Sequence, residues 1–419
     1  MSERAEVLAP TPPRILLALV AMPLALAASA GPSHASAEPV DAVPAVTLAE
    51  QRIIEIADSQ LLSLSPDGGS IVVTRPAGRE PTELCIHDVA TLAERVCADI
   101  SGLDAGLWAD SVVWSPDSAW LAFAELWPQF GFDGDLWLMD ASTGALSNLL
   151  DDGYSGSLGW SESDEGPSVE TVVTLPSHPT FTPDSAAVTF SRTTVRAGEF
   201  TDLDIATVPI AGGDAVRQGG SEREAQGFDY LGKYWTTNGS RLFVTLVESG
   251  PSGLGPDSGI WVFEADGRHA RQLLSITGTD DWPTRILAVS PRGERLLVSD
   301  PRAAGGRAPL CACSLVDGST GAIDPIEALQ PSGRPSTPIT GAMLSPDGSL
   351  LLTVSGRGEK QVAVRDVATS NETVLLWEPS GAAPSDLGGE VLTWAQDDTV
   401  LVDGDRPGRG TLLVLDRGS

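Results

Sequence analysis

Histidine is scarce: the 419-residue chain has four, and His34 lies in an N-terminal segment expected to be removed. His87, His178 and His269 remain, which leaves little for His-activated nucleophiles or a His-based metal centre. The sequence has no G-x-S-x-G nucleophile elbow. "GGDAVRQGG" (Gly212–Gly220) lacks the Lys-Ser/Thr of a phosphate-binding loop. Positive charge is short as well: 26 Lys+Arg stand against 57 Asp+Glu, a net of −31. That balance excludes generic binding to nucleic-acid backbones, which needs a basic footprint. Structural zinc wants four N/S ligands, and no histidine accompanies Cys311 and Cys313, so no zinc site is expected. Beyond the N-terminus no stretch approaches the roughly eighteen apolar residues of a membrane span.

Residues Ile15–Ala30 ("ILLALVAMPLALAASA") form the one long apolar run, preceded by Arg4 and Arg14. Its length suits a signal-peptide core, and Ala35-Ser36-Ala37 is a cleavage site, with Ala28-Ser29-Ala30 a second. The expectation is a signal peptide over 1–37, a linker over 38–47, and export to the periplasm or medium. Cleavage removes Glu3, Glu6, Arg4 and Arg14, so the mature chain keeps −31. In an oxidising compartment Cys85 and Cys97, which flank a strand–turn–strand pattern, can form a cross-strand disulfide. Cys311 and Cys313 are two apart; bridging them directly strains the backbone, and free buried thiols are the alternative.

What the chain does have is a repeat. "LSPDG" stands at Leu64–Gly68 and again at Leu344–Gly348. "WSPDS" (Trp114–Ser118), "FTPDS" (Phe181–Ser185), "VSPRG" (Val289–Gly293), "TTNGS" (Thr236–Ser240) and "WAQDD" (Trp394–Asp398) are variants, spaced by fifty to sixty-seven residues. Each turn sits between a short apolar strand and an alternating one, followed by two more strands. Pro suits the first central position of a type I turn and Gly the left-handed position that follows. The repeated Asp67, Asp117, Asp184 and Asp347 are thus read as turn residues, not catalytic carboxylates.

Four strands per repeat and seven repeats predict an all-β, seven-bladed β-propeller over 48–419, six or eight blades remaining open. Blades start near 61, 111, 178, 230, 284, 339 and 390. The last shows three strands, and "RIIEI" (Arg52–Ile56) is expected to supply its fourth and close the ring.

These turns and the opening "TLAEQRIIEIADSQLLSLSPDGGSIVVTR" (Thr47–Arg75) resemble the TolB-type propellers and the start of the propeller in dipeptidyl-peptidase and acylaminoacyl-peptidase families. The resemblance implies the fold over nearly the whole mature chain and says little about activity. TolB carries an α/β domain ahead of six blades, and the peptidases a C-terminal hydrolase domain; neither pattern is found here.

Loops joining second and third strands share one face of a propeller, opposite the SPDG turns. Arginines recur in them: Arg75, Arg79, Arg192, Arg196, Arg302, Arg357 and Arg406. Arg suits bidentate recognition of carboxylate or phosphate, so this face is the candidate site for an acidic partner or anionic ligand. Trp127 stands in a loop with Phe130 and Phe132 and is a candidate anchor. The residues opening the first strands, Asp110, His178, Tyr230, Arg285 and Glu390, are the channel candidates. Asp133 and Asp135 make a D-x-D that reads as a loop entering a strand; a calcium loop needs more oxygens. The expectation is a monomeric, non-catalytic platform for a protein or peptide partner, with no metal, no cofactor, no nucleic acid and no membrane span after cleavage. The alternative is an enzyme, a hydrolase or lyase with an Asp/Glu/Arg site in the channel, or a propeller serving a separate peptidase.

Overall fold

The computed structural model describes residues 46–419 except 78–79, 104–105, 126–132, 155–171, 197–198, 225–227, 251–252, 256, 266–269, 277–284, 300–312, 326–338, 356–359, 379–390, 405–406 and 419. The expected signal peptide lies outside the described residues.

Seven antiparallel sheets follow one another along the chain. Blades 1 to 6 occupy 60–99, 113–148, 172–224, 228–275, 285–325 and 339–378, their strands paired in sequence order. Blade 4 adds a short extra pairing, Gly253–Leu254, to its second strand. Blade 7 takes Val391–Trp394, Thr399–Asp403 and Arg409–Asp416 from the C-terminus. Its outer strand is Thr47–Glu55, which runs antiparallel to Arg409–Asp416 from Thr47↔Asp416 to Glu55↔Arg409. The ring is therefore closed by the N-terminal strand, as the missing fourth strand required.

Each sheet is sandwiched between two neighbours, so its middle strands are apolar on both faces. Ile71, Val72 and Val73 are all fully buried, as are Leu121, Ala122 and Phe123. Val72 and Ile86 pack with Leu121, Phe123 and Met139 between blades 1 and 2. Ile71 and Val73 face the other way, onto Ile54, Leu401 and Leu412 across the closing seam. Burying each such side chain contributes about 1.5–3 kcal/mol.

The turns behave as their chemistry dictates. Ser65 Oγ donates to Asp67 Oδ1 at 2.5 Å, and Asp67 Oδ1 accepts the Gly69 N–H at 3.0 Å. Ser115–Asp117, Thr182–Asp184 and Ser345–Asp347 repeat the hydroxyl–carboxylate bond at 2.6 Å. The fourth turn position is left-handed even where it is not glycine: φ is 60° at Ser118, 59° at Ser185 and 63° at Asp398. For Asp67 and Asp117, burial alone would raise the carboxyl, but these hydrogen bonds outweigh it and hold the group below the usual range.

The turns also clasp one blade to the next. Ser118 Oγ accepts the Asp67 N–H and Ser185 Oγ accepts the Asp117 N–H, each at 3.2 Å. Between blades 4 and 5 Thr237 N–H donates to Pro291 O at 2.9 Å, and between 7 and 1 Gln396 N–H donates to Pro66 O at 2.8 Å. Arg417 bridges blades 6 and 7, with Nη1 2.5 Å from Asp347 Oδ2 and Nη2 2.5 Å from Asp398 Oδ1. In blade 4 the position of Ser118 and Ser185 is taken by Gly239, which offers no hydroxyl to blade 3.

Candidate functional site

The arginine face is largely self-neutralised where it is described. Arg75 ends the second strand of blade 1, opposite Glu83 in the hairpin register. Its Nη2 lies 2.8 Å from Glu94 Oε2 and 3.2 Å from Glu83 Oε2. The same nitrogen is 2.9 Å from both sulfurs of the Cys85–Cys97 disulfide. That disulfide joins directly paired residues of the third and fourth strands, as expected. Arg192 faces Asp204 across blade 3 and grips it bidentately, Nε to Oδ1 at 2.9 Å and Nη2 to Oδ2 at 2.6 Å. Arg75 and Arg192 are thus internal partners of carboxylates rather than cations displayed to a ligand. Arg196 is exposed at the end of its strand. Arg79, Trp127, Arg302, Arg357 and Arg406 lie outside the described residues.

Cys313 is buried and disulfide-bonded, so the free-thiol alternative does not hold for it.

The channel candidates do not form one constellation. Asp110 sits exposed in a single 3₁₀ turn, Ala109–Ser111. His178 does not open its strand: blade 3 begins at Val172, and His178 falls in a bulge between Ser177 and Thr180. Its φ is +48°, an unusual value for a side-chain-bearing residue. The corresponding bulge of blade 4 falls on Gly232, at φ +44°. The His178 ring meets Trp108 edge-on, centroids 4.7 Å apart, and its carbonyl accepts the Lys233 ammonium at 2.9 Å. Lys233, buried, ties the first strands of blades 3 and 4 together and was missed in the sequence. Tyr230 and Arg285 lie on first strands, their side chains outside the described residues; Glu390 and His269 are themselves outside the described residues. His87 is buried in blade 1, its Nδ1 3.0 Å from Leu92 O.

Where the Gly239 clasp is missing, a cleft of about 520 Å³ opens between blades 3 and 4 on the turn-bearing face. Pro183, Thr207, Gln218, Trp235, Thr237 and Asn238 are among its walls. Trp235 is half-buried, its Nε1–H held by Thr189 Oγ1 at 3.1 Å, which fixes the ring plane. Gln218 is the extra residue of a register slip opposite Ile205–Ala206, which turns it out of the ladder.

A second feature lies on the opposite face, over the second to fourth strands of blade 2. Glu125 and Asp133 are each 3% exposed. Glu125 Oε1 accepts Trp137 Nε1–H at 2.7 Å, and Asp135 Oδ2 accepts the Asn148 amide at 2.7 Å. Asp152, in the connection to blade 3, accepts the Thr174 N–H at 2.6 Å. Burial, reinforced by Asp152 and Asp135, pushes Asp133 up to about 8. Burial pushes Asp135 up to about 7 despite the Asn148 bond, with Glu125, Asp152 and Asp151 adding repulsion.

No protein-family model and no curated protein matches this chain. Solved structures do. An oligogalacturonate lyase in complex with manganese is 12% identical over 87% of this chain and 91% of its own, with a TM-score of 0.53. The β-propeller domain of Swd1 (Cps50) from Myceliophteria thermophila is 11% identical over 87% of this chain and 99% of its own, with a TM-score of 0.50. At such identities the likeness shows the fold.

Proposed function

We propose that this chain is an exported binding platform whose ligand is an extended protein segment, seated in the cleft between blades 3 and 4. The cleft carries the reading. It is open, it has a fixed aromatic wall in Trp235, and Gln218 offers an amide for main-chain hydrogen bonds. The acidic-partner reading of the arginine face is weakened, because Arg75 and Arg192 already hold carboxylates. Export is supported by the disulfide-bonded state of Cys85, Cys97 and Cys313. Among the described residues no helix is long and apolar enough to cross a membrane.

One observation favours the enzyme alternative: Asp133 and Asp135 are carboxylates displaced toward neutral pH. They stand over the outer strands of blade 2 rather than at the channel, where the sequence placed an active site.

The test is selection of peptides from a displayed random library against the full chain. Gln218→Arg and Ala186→Arg, both at the cleft, should each weaken a selected peptide at least tenfold, about 1.4 kcal/mol. Arg196→Ala should leave it unchanged. Binding indifferent to both cleft substitutions overturns the reading, as does turnover of a screened substrate that the cleft substitutions leave intact.

A further inference from the structure

We infer that blade 2 carries a site for a hard divalent cation of the calcium class, assembled by Glu125, Asp133, Asp135 and Asp152. Three independent segments deliver these carboxylates. Glu125 follows the second strand and pairs through its N–H with Asp135 O at 3.0 Å. Asp133 and Asp135 lead into the third strand, Leu136–Asp140. Asp152 comes from the connection to blade 3.

Asp133 is the group that points to a ligand. It is 3% exposed, yet its Oδ1 is buried without a hydrogen-bond partner. Buried polar atoms in folded proteins are almost always satisfied, and a carboxylate oxygen can be satisfied by a donor or by a cation. Burial is the largest influence on Asp133 and Asp135; the Gly134 N–H and the Asn148 amide each donate a hydrogen bond there, and the charges that act on them are those of other carboxylates, with no cation among them. The other three acids are already oriented. Trp137 holds Glu125, Asn148 holds Asp135, and the Tyr154 and Thr174 N–H groups hold Asp152 at 3.0 and 2.6 Å. Each of these bonds leaves further lone pairs on the carboxylate for a metal. An all-oxygen donor set selects calcium over softer metals, and calcium's flexible geometry suits donors from three segments.

The four are not gathered into a ready cage. Among the described residues, the three acid or thiol ligands that stand within 4.8 Å of one another are Glu83, Cys85 and Cys97, and those sulfurs are bonded to each other. No three of the blade 2 carboxylates bring oxygens within that distance, so a cation would have to draw them in. Because Asp152 also holds Thr174 of blade 3, the ion would fasten blades 2 and 3 on the face opposite their turn clasp.

The test uses the full chain, treated with chelator and titrated with calcium chloride by calorimetry at physiological ionic strength, then with terbium. One calcium per chain should bind, and terbium emission should be sensitised by excitation of the adjacent Trp137. Asp133→Asn and Asp152→Asn should each weaken calcium at least tenfold. Asp99→Asn, an exposed turn carboxylate on blade 1 with the same charge change, should not. Far-UV circular dichroism establishes that the variants are folded; two positions keep the test usable if one is not. Equal affinity in all three variants means diffuse attraction to an acidic surface and overturns the site. So does absence of calcium binding at millimolar concentration, in which case protons alone neutralise the cluster.

Discussion

Arg417→Ala tests whether turn-to-turn clasps hold neighbouring blades together. The guanidinium makes two charge-assisted bonds, to Asp347 of blade 6 and Asp398 of blade 7, each at 2.5 Å. Bonds of this kind contribute about 1.5–3 kcal/mol when shielded from water. Exposure separates the two here: Asp347 is 52% exposed and Asp398 19%, with Arg417 at 31%. Solvent screening reduces the Asp347 arm to the roughly 0.2–1 kcal/mol of a surface pair. The Asp398 arm, nearer the core, keeps most of its value. The expected loss is about 2 kcal/mol, or a fall of roughly 2–4 °C in the melting midpoint for a domain of this size. Burial would raise the Asp347 carboxyl, but its bonds from Ser345 and Arg417 hold it well below the usual range. A carboxyl depressed in the folded state stabilises above its unfolded value of about 3.9 and loses that contribution as pH falls below it. The difference between wild type and Arg417→Ala, followed by urea denaturation, should therefore narrow between pH 5 and pH 3. A difference that is the same at both pH values, or unmeasurable at pH 7, refutes the clasp.

Two further outcomes follow from the backbone and the disulfide. At His178, with φ +48°, His178→Gly should be more stable than His178→Ala by about 1 kcal/mol, the reverse of an ordinary strand position; thermal melting with Ala equal or better contradicts the left-handed bulge. The Cys85–Cys97 bridge closes a short loop, a separation of 12 residues, so Cys85→Ala/Cys97→Ala should lower stability by about 2–4 kcal/mol in denaturant titration; no loss would show that Arg75, Glu83 and Glu94 hold the hairpin unaided.

Much of the fold was legible because its signals are local. A Ser/Thr-Pro-Asp turn carries its own hydrogen bonds, so each repeat announced a hairpin. A second repeat was equally legible and was not read: Asp88, Asp140, Asp317 and Asp366 each accept the N–H three residues on, at Thr91, Thr143, Thr320 and Thr369, closing the outer hairpins. The carboxylate partners of Arg75 and Arg192 went unread on the arginine face, though they are visible in register. Arg75 and Glu83 lie directly across one hairpin, as do Arg192 and Asp204, so each pair can neutralise itself without leaving its blade.

The amino-acid sequence by itself determined seven hairpin-built units and a chain that closes on its own N-terminal strand, because turn chemistry and strand alternation act over a few residues. Tertiary structure alone decided the rest. It put the bulge on His178 and left blades 3 and 4 unclasped at Gly239. It also buried Glu125 and Asp133, which read as ordinary loop polarity, and set Asp135 and the exposed Asp152 beside them, since burial depends on which segments meet, and Asp152 acts on Asp133 only when the rim of blade 2 is folded against blade 3.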